Sequence, residues 1–196
     1  MNRRRYFIAA GAAAALVAVL VIVLVRRGSH QAGTTAGTAT ASTAGPASAE
    51  RKITATLFFI SEDGLSLQLV QREVPFGDPI TEQARRIIEA QIGAAPPPLA
   101  SAIPEGTKLR ALSVPARGDA FVDLTGEVTA RHTGGSLDEL FTVYSIVNAL
   151  TVNLPAIVRV QILIDGKEVD TLAGHVDLRH PLQKNQKWVK SEKGDT

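Results

Sequence analysis

The chain has 196 residues, of which 45% are hydrophobic, and it contains no cysteine. The lack of cysteine excludes disulfides, a thiol nucleophile, cysteine-ligated zinc, iron–sulfur clusters and a lipidated N-terminal cysteine. The formal net charge is +2, but residues 52–182 contain 11 Lys and Arg against 16 Asp and Glu, a net of −5. Because binding to a phosphate backbone requires clustered Lys and Arg on a folded face, we expect no nucleic acid partner.

Residues 6–25 (YFIAAGAAAALVAVLVIVLV) contain no charge and no proline. As a helix rising about 1.5 Å per residue they would span roughly 30 Å, the thickness of the hydrocarbon core of a bilayer. Arg26 and Arg27 follow where a cleaved signal peptide has small residues, so we predict an uncleaved anchor over residues 1–27, with a cleaved export signal as the alternative. More arginines precede the span than follow it, which favours a C-terminal domain outside the cytoplasm.

Two polar segments flank the part of the chain that can fold. Residues 28–51 consist almost entirely of Gly, Ala, Thr and Ser, have no hydrophobic periodicity and are predicted to be a disordered linker. Residues 183–196 form a lysine-rich polar tail that we expect to be mobile, with Trp188 either docked on the domain or on a partner, or exposed without function. The folded domain is therefore predicted to cover residues 52–182.

The first half of this domain contains a predicted hairpin and a helix. Residues 53–60 are β-branched and aromatic, residues 61–64 have turn chemistry, and apolar residues alternate with polar ones from Leu65 onward. Asp78 and Pro79 are typical of the cap and first turn of a helix. The apolar stripe of this helix has the spacing i, i+4, i+7 and i+8 and consists of Ile80, Ala84, Ile87 and Ile88.

A second helix follows two further predicted strands, at residues 108–114 and 120–124. Ser136 and Glu139 form a predicted capping box at its start, and it extends to about Thr151. This helix is apolar on more than one side, so either it is buried between layers or one row is a partner surface; we expect burial. The two rows are Leu137, Phe141 and Tyr144, and Leu140, Val143, Val147 and Leu150.

The last predicted elements form another hairpin. Residues 158–164 alternate as a half-buried strand does, residues 165–166 (Asp-Gly) predict a tight turn, and residues 168–172 are the returning strand. The resulting order is β-β-α-β-β-α-β-β. It predicts an α+β two-layer sandwich in which two helices pack on a mixed, mostly antiparallel sheet.

Three stretches of the C-terminal half resemble a known family. They are residues 140–151 (LFTVYSIVNALT), 158–166 (VRVQILIDG) and 169–175 (VDTLAGH). A helix with an Asn-x-Leu-Thr-like end, a short proline-containing link and a Val-Gln-Ile-Leu strand before a glycine resembles the GerMN domain, a family named for spore germination and sporulation. The resemblance extends more loosely back to Ile53.

The resemblance implies a bacterial domain that is held at a membrane outside the cytoplasm, with no known catalysis and no cofactor. Its expected function is scaffolding or interaction in an envelope complex at the inner membrane. Envelope proteins or the cell wall are the implied partners, and homo-oligomerisation is left open. A peptidoglycan- or glycan-binding accessory module is the first alternative, and a hydrolase is the second.

Some residues could form a catalytic or metal site. His175, Asp177 and His180 form the pattern H-x-D-x-x-H, but a further metal ligand is not evident, so a polar loop is the preferred interpretation. Ser136 or Ser145 could join His175 and Asp177 in a hydrolytic triad. Neither serine lies in a G-x-S-x-G elbow, and burial in the helix would hide Ser145.

Other polar residues have structural interpretations. Residues 134–136 (Gly-Gly-Ser) could hold an anion at a helix start, but the capping box accounts for them. Asp123 and Glu127 could act as paired carboxylates, although solvated acids are the default. Asn148 is expected to bond neighbouring backbone, because an unpaired buried amide costs about 1–3 kcal/mol. We therefore assign no catalytic, metal-binding or cofactor-binding residue.

Overall fold

The computed structural model of this protein describes residues 51–115 and 117–190, so the predicted anchor, residues 28–50 of the predicted linker and residues 191–196 lie outside the described part. Within those ranges, no helix is both long enough and apolar enough to cross a bilayer. The elements in chain order are β1 (Lys52–Ile60), β2 (Leu67–Pro75), α1 (Ile80–Ile92), β3 (Leu109–Ser113), β4 (Asp119–Leu124), α2 (Glu127–Ala130), α3 (Ser136–Asn153), β5 (Arg159–Ile164), β6 (Lys167–Glu168) and β7 (Leu182–Gln183).

β1 and β2 form an antiparallel hairpin that is a sheet of its own. Each strand contributes nine residues, and the pairing contains no bulge. The adjacent Phe58 and Phe59 are both fully buried, so β1 lies inside the domain on both of its faces. The predicted turn is present, with the Ser61 hydroxyl donating to the carbonyl oxygen of Ser66 at 2.9 Å.

The second sheet has the order β3-β4-β5-β6, and β7 also pairs with β5. β4 and β5 are parallel, from Asp119 opposite Arg159 to Leu124 opposite Ile164, whereas the other pairs are antiparallel. A parallel pair requires a long crossover, and α2 and α3 lie in that connection. The predicted turn at Asp165 and Gly166 is confirmed, because both residues have a positive φ, of 50° and 77°.

Helix α3 lies at the centre of the core, where it contacts both sheets through β1 and β5 and also contacts α1. Val143 and Val147 are fully buried, and Leu140 and Tyr144 are partly buried against the same core. The prediction that the apolar rows of this helix belong to the core is therefore confirmed for Val143. The stripe of α1 enters the same core, with Ile87 among its fully buried residues.

The predicted strands and helices occur in the predicted order, but α2 and β7 were not predicted and the prediction of one sheet is wrong. The hairpin is not extended into the second sheet, because the free edge of β1 faces the two long helices. Gln91 of α1 binds the backbone of Phe58, and Asn153 of α3 binds the backbone of Thr56. These side chains occupy the edge that a neighbouring strand would use.

Three local predictions also need correction. The cap of α1 is Pro79 and not Asp78, and α3 begins after Gly135; neither helix has a side-chain cap bond. The last predicted strand, residues 168–172, is reduced to the two residues of β6. The chain leaves β5 there because its next residues turn toward the side chain of Glu139.

Candidate functional site

The carboxylate of Glu139, in the first turn of α3, is fully buried. Its Oε1 accepts hydrogen bonds from the backbone N–H groups of Leu172 at 2.8 Å and Ala173 at 2.9 Å. Its Oε2 accepts the backbone N–H of His175 at 2.7 Å and lies 3.1 Å from the Nδ1 of the same residue. One carboxylate therefore holds the loop that follows β6 against the start of α3.

Two opposing effects act on the pKa of Glu139. Burial raises the pKa of this carboxyl, because it disfavours the charged form. Hydrogen bonds from the backbone N–H groups of Ala173, His175, Val176 and Leu172 lower it, and the pKa ends below its ordinary value. Glu139 is thus ionised at neutral pH and surrounded by donors, which suits a structural anchor and not a proton donor.

The residues of the H-x-D-x-x-H pattern have separate partners. His175 contacts Glu139, while the carboxylate of Asp177 forms an ion pair with Arg179 at 2.8 Å. The Arg179 guanidinium holds the pKa of Asp177 well below its usual range. His175, Asp177 and His180 do not converge, and no group of three or more such residues in the described ranges is placed to hold a metal ion.

The two candidate serine nucleophiles are also not part of a triad. Ser145 is fully buried in α3, as expected, and its hydroxyl donates to the carbonyl oxygen of Thr142 at 2.9 Å. Ser136 is exposed at the start of α3, and its side chain makes no capping hydrogen bond there. The predicted capping box is therefore wrong, because the side chain of Glu139 is bound by the loop instead of reaching back to the cap.

Asp123 is not the solvated acid that was expected. It is 8% exposed, its Oδ1 accepts the N–H of Gly166 at 2.8 Å, and its Oδ2 pairs with Arg110 at 3.0 Å. It thereby fastens the turn between β5 and β6 to β4. Glu127 has another partner, since a hydrogen bond from the side chain of Thr125 lowers its pKa.

Asn148 is fully buried in α3 and binds backbone, as predicted. Its Nδ2 donates to the carbonyl oxygen of Asn185 at 2.8 Å, and its Oδ1 accepts the N–H of the same residue at 3.0 Å. Leu67 of β2 holds the next part of this segment: its N–H donates to Trp188 and its carbonyl accepts from Lys190, both at 2.7 Å. The expectation of a mobile tail is therefore wrong up to Lys190.

Two clefts open on the surface of the described part. One, of about 510 Å³, lies between the end of α3 and β7 and is lined by Thr151, Val152, Pro155, Ile157, Val158, Gln183, Lys184 and Gln186. The other, of about 550 Å³, is lined by Ser61, Glu62, Asp63, Gln68, Pro97, Pro98, Leu99 and Lys190. Neither lining contains an aromatic side chain, and Trp188, which is 38% exposed, belongs to neither.

The GerMN resemblance agrees with a comparison against known families. The family model named Germane, described as sporulation and spore germination, matches residues 56–170, which is more than half of the chain. The chain belongs to this family. The matched part of this GerMN-family protein runs from β1 past β6 and includes α3. No curated protein matches the chain.

One solved structure supports the assignment of the fold. The tandem GerMN domains of the sporulation protein GerM from Bacillus subtilis match with a TM-score of 0.55 and 17% identity, over 76% of this chain and 51% of that chain. At this identity the likeness shows the fold alone, and this chain spans about half of the tandem. The first GerMN domain of GerM gives a TM-score of 0.49 at 18% identity, covering 68% of this chain and 96% of that domain. A candidate lipoprotein from Clostridium perfringens also gives 0.49, at 24% identity, covering 69% of this chain and 89% of the other.

The sequence analysis missed the amide side chains that hold β1, although a signal for one of them existed. Gln91 follows Ile87 by four residues and Ile88 by three, so it extends the apolar stripe of α1. A polar residue on such a stripe is expected to be buried and hydrogen-bonded. Glu139 has the same signal, because it precedes the buried Val143 by four residues.

Proposed function

We propose that this GerMN-family protein is a membrane-anchored, extracytoplasmic scaffolding domain of a bacterial envelope complex, and that it works by binding partners and not by catalysis. The predicted anchor at residues 1–27 would hold it at the inner membrane with its N-terminus in the cytoplasm. Residues 28–51 would then let the domain reach partners some distance from the bilayer surface.

The observation that carries this proposal is how the domain uses its buried polar side chains. The buried Glu139, Asn148 and Gln91 and the half-buried Asn153 all bind the backbone of the same domain. Throughout the described residues, no buried side-chain nitrogen or oxygen lacks a hydrogen-bond partner. Active sites usually contain polar groups that are held ready for a substrate. A domain whose buried polar groups serve its own fold is better suited to present surfaces.

The glycan-binding alternative receives less support from the surface. Sugar rings are commonly bound against exposed aromatic side chains, which offer an apolar body with a polar edge. The clefts of about 510 and 550 Å³ have no aromatic lining, and the exposed Trp188 lies outside both. The hydrolase alternative also receives little support from the described residues, because the candidate nucleophile Ser145 is buried and its hydroxyl donates to the carbonyl oxygen of Thr142.

The anchoring and orientation can be tested with single cysteines, because the natural chain has none. A cysteine at the exposed Glu62 (Glu62→Cys) should react with a membrane-impermeant maleimide in intact spheroplasts, and the protein should stay in the membrane fraction. Asn2→Cys, on the other side of the predicted span, is the matched control and should react only after lysis. Mature protein in the soluble periplasmic fraction, beginning within the linker, would contradict the anchor.

The scaffolding role can be tested by crosslinking the full-length protein in intact cells and identifying the captured proteins by mass spectrometry. We expect a reproducible set of envelope proteins. The control is a chain of residues 1–51 alone, which keeps the anchor and linker and should capture none of that set. Recovery of peptidoglycan fragments without any protein would instead support the glycan-binding alternative.

A further inference from the structure

The described residues contain four sheet edges, and three of them are blocked or distorted. The outer edge of β5 is covered by β6 and β7. β3 has a bulge between Leu109 and Ala111, a common device that prevents edge-to-edge pairing. The free edge of β1 is bound by Gln91, by Asn153 and, at Ile60, by the backbone of Ala100. The remaining edge is the outer side of β2.

The pairing within the hairpin shows which backbone groups of β2 point outward. Thr56 and Phe58 of β1 direct their N–H and C=O groups away from β2, because they bind Asn153 and Gln91. Their opposite residues, Gln71 and Leu69, must therefore also direct these groups away from β1. The same alternation applies to Glu73, two residues further along.

Within the described residues, this outer edge is regular and, from residue 69 onward, unpaired. Leu67 is bound by Trp188 and Lys190. No group in residues 51–115 or 117–190 bonds the outward backbone groups of Leu69, Gln71 or Glu73. This stretch, which we call the open edge, has no proline and no bulge. An exposed edge of this kind readily pairs with another strand.

We propose that the open edge binds the open edge of a second copy of this chain, so that two hairpins form one continuous antiparallel sheet. With Gln71 opposite Gln71 of the second copy, Leu69 lies opposite Glu73 and Val70 lies opposite Arg72. No like charges face each other in this register. The guanidinium of Arg72 also stays within its own chain, since it donates to the carbonyl oxygens of Ala90 and Ala94.

The neighbouring registers are less favourable, which fixes the pairing. Shifting the partner so that Val70 faces itself places Glu73 opposite Leu67, whose outward groups are already bound to Trp188 and Lys190, so Glu73 would lose its partner. In the register centred on Gln71 it is Pro75 that lies opposite Leu67, and proline has no N–H that needs a partner. A shift in the other direction places Arg72 opposite Arg72, and like charges directly opposite are destabilising. The register centred on Gln71 therefore uses all three free residues of each edge.

The inference deepens the proposed scaffolding role and rests on it, because it makes a second copy one of the bound partners. A single pair of short strands buries less surface than a standard interface, so we expect it to form at high local concentration. The test therefore uses the full-length chain reconstituted into lipid vesicles at high density. Its result is independent of the crosslinking experiment in intact cells. Envelope proteins captured in that experiment would still support the scaffolding role if self-pairing failed.

The cysteine-free chain permits a direct measurement of the register. In the proposed pair the two Gln71 Cα atoms are about 5.5 Å apart, which is within the range that a disulfide bridges. Gln68→Cys is the matched control, since Gln68 is exposed on the same strand but its two copies would lie about 20 Å apart. Under mild oxidation we expect about tenfold more covalent dimer from Gln71→Cys than from Gln68→Cys.

A second measurement tests the backbone pairing. Leu69→Cys and Glu73→Cys chains should crosslink when mixed, but neither should crosslink alone. Gln71→Pro in both chains should abolish this product, because proline removes an outward N–H that the hairpin does not use. Gln71→Ala should retain the product, and unfolding temperatures of all variants show that the domain remains folded.

Several results would overturn the proposal. Equal crosslinking of Gln71→Cys and Gln68→Cys would show that the edges do not meet. Crosslinking of Gln71→Cys only after removal of residues 191–196 would assign the open edge to the chain's own last residues. Capture of Gln71→Cys in cells by another envelope protein, with no homodimer, would assign it to an extended segment of that protein.

Discussion

Each of the two sheets of this domain has one covered edge, and the two edges are covered in different ways. In the second sheet, the outer edge of β5 is covered by the backbone of β6 and β7. In the hairpin, the free edge of β1 is covered mainly by two side-chain amides. Gln91 binds both the N–H and the C=O of Phe58, and Asn153 does the same for Thr56. Each amide thus satisfies one residue as a paired strand would.

The two kinds of covered edge should differ in how strongly a single substitution disrupts their hydrogen bonds. A strand that pairs through its backbone keeps its hydrogen bonds when a side chain is replaced. An edge that is paired through side chains loses both bonds at a position with a single substitution, and it leaves buried backbone groups without partners. The hairpin should therefore be the more mutation-sensitive of the two sheets, although its nine-residue strands are the longest in the described chain.

The largest loss of stability should come from a substitution in the core of α3, the helix that packs against both sheets. Val143 is fully buried in α3, which contacts β1 and β5. Val143→Asp buries a carboxylate without a partner and should cost about 4 kcal/mol or more, which most small domains cannot tolerate. The matched control is Val158→Asp at a valine that is 56% exposed, where little change is expected. Thermal unfolding measures the stability of both variants. A Val143→Asp domain that melts within a few degrees of wild type would show that Val143 does not lie in the core.

The next effect tests the amide pairing of β1 directly. Gln91→Met keeps the length of the side chain but removes both bonds to Phe58, and should cost about 2–4 kcal/mol in the free energy of unfolding. The amide proton of Phe58 should also exchange faster with solvent. The control is Gln68→Met, at an exposed glutamine of β2, which should change the free energy of unfolding by less than about 0.5 kcal/mol. Equal effects of the two substitutions would show that the edge of β1 needs no side-chain partner.

The order of elements could be predicted from the sequence, but the pairing of the strands could not. Periodicity is local, so it located β1, α1 and α3 and correctly placed Val143 in the core. The separation into two sheets depends on Gln91 and Asn153 reaching β1 from distant parts of the chain. The polar composition of the last residues likewise concealed their role, because Asn185 is held through its backbone and not through its side chain.

A smaller effect is expected in the loop beside the second sheet. Glu139→Gln keeps the shape of the side chain, but its amide group cannot accept the hydrogen bonds that one carboxylate oxygen accepts, and should cost about 1–3 kcal/mol at neutral pH. The pKa of Glu139 is lower in the folded state than in the unfolded chain. The stabilisation that its carboxylate provides is therefore fully present above the unfolded pKa of about 4.3, and it is lost as the pH falls through the folded-state pKa.

Measuring stability as a function of pH separates the contribution of the Glu139 charge from that of the other acidic residues. Urea unfolding of wild type and Glu139→Gln between pH 7 and pH 3 should show a stability difference that narrows at the acid end. Glu62→Gln, at an exposed carboxylate, should run parallel to wild type throughout. A difference between wild type and Glu139→Gln that stays constant with pH would mean that the charge of Glu139 does not stabilise the loop.

The smallest effect should be found where the last described residues join the hairpin to α3. Asn148→Ala removes both bonds to the backbone of Asn185 and should cost about 1–2 kcal/mol, with faster hydrogen exchange concentrated in residues 183–190. Asn185→Ala is the matched control, because it deletes a side chain that accepts only the N–H of Lys187 in the same segment and leaves the backbone groups bonded to Asn148 in place. If the two variants exchange alike, β7 and the pairing of residues 188–190 with Leu67 would suffice to hold the segment. A selective effect of Asn148→Ala would show that this segment, like β1, depends on side-chain amides that bind its backbone.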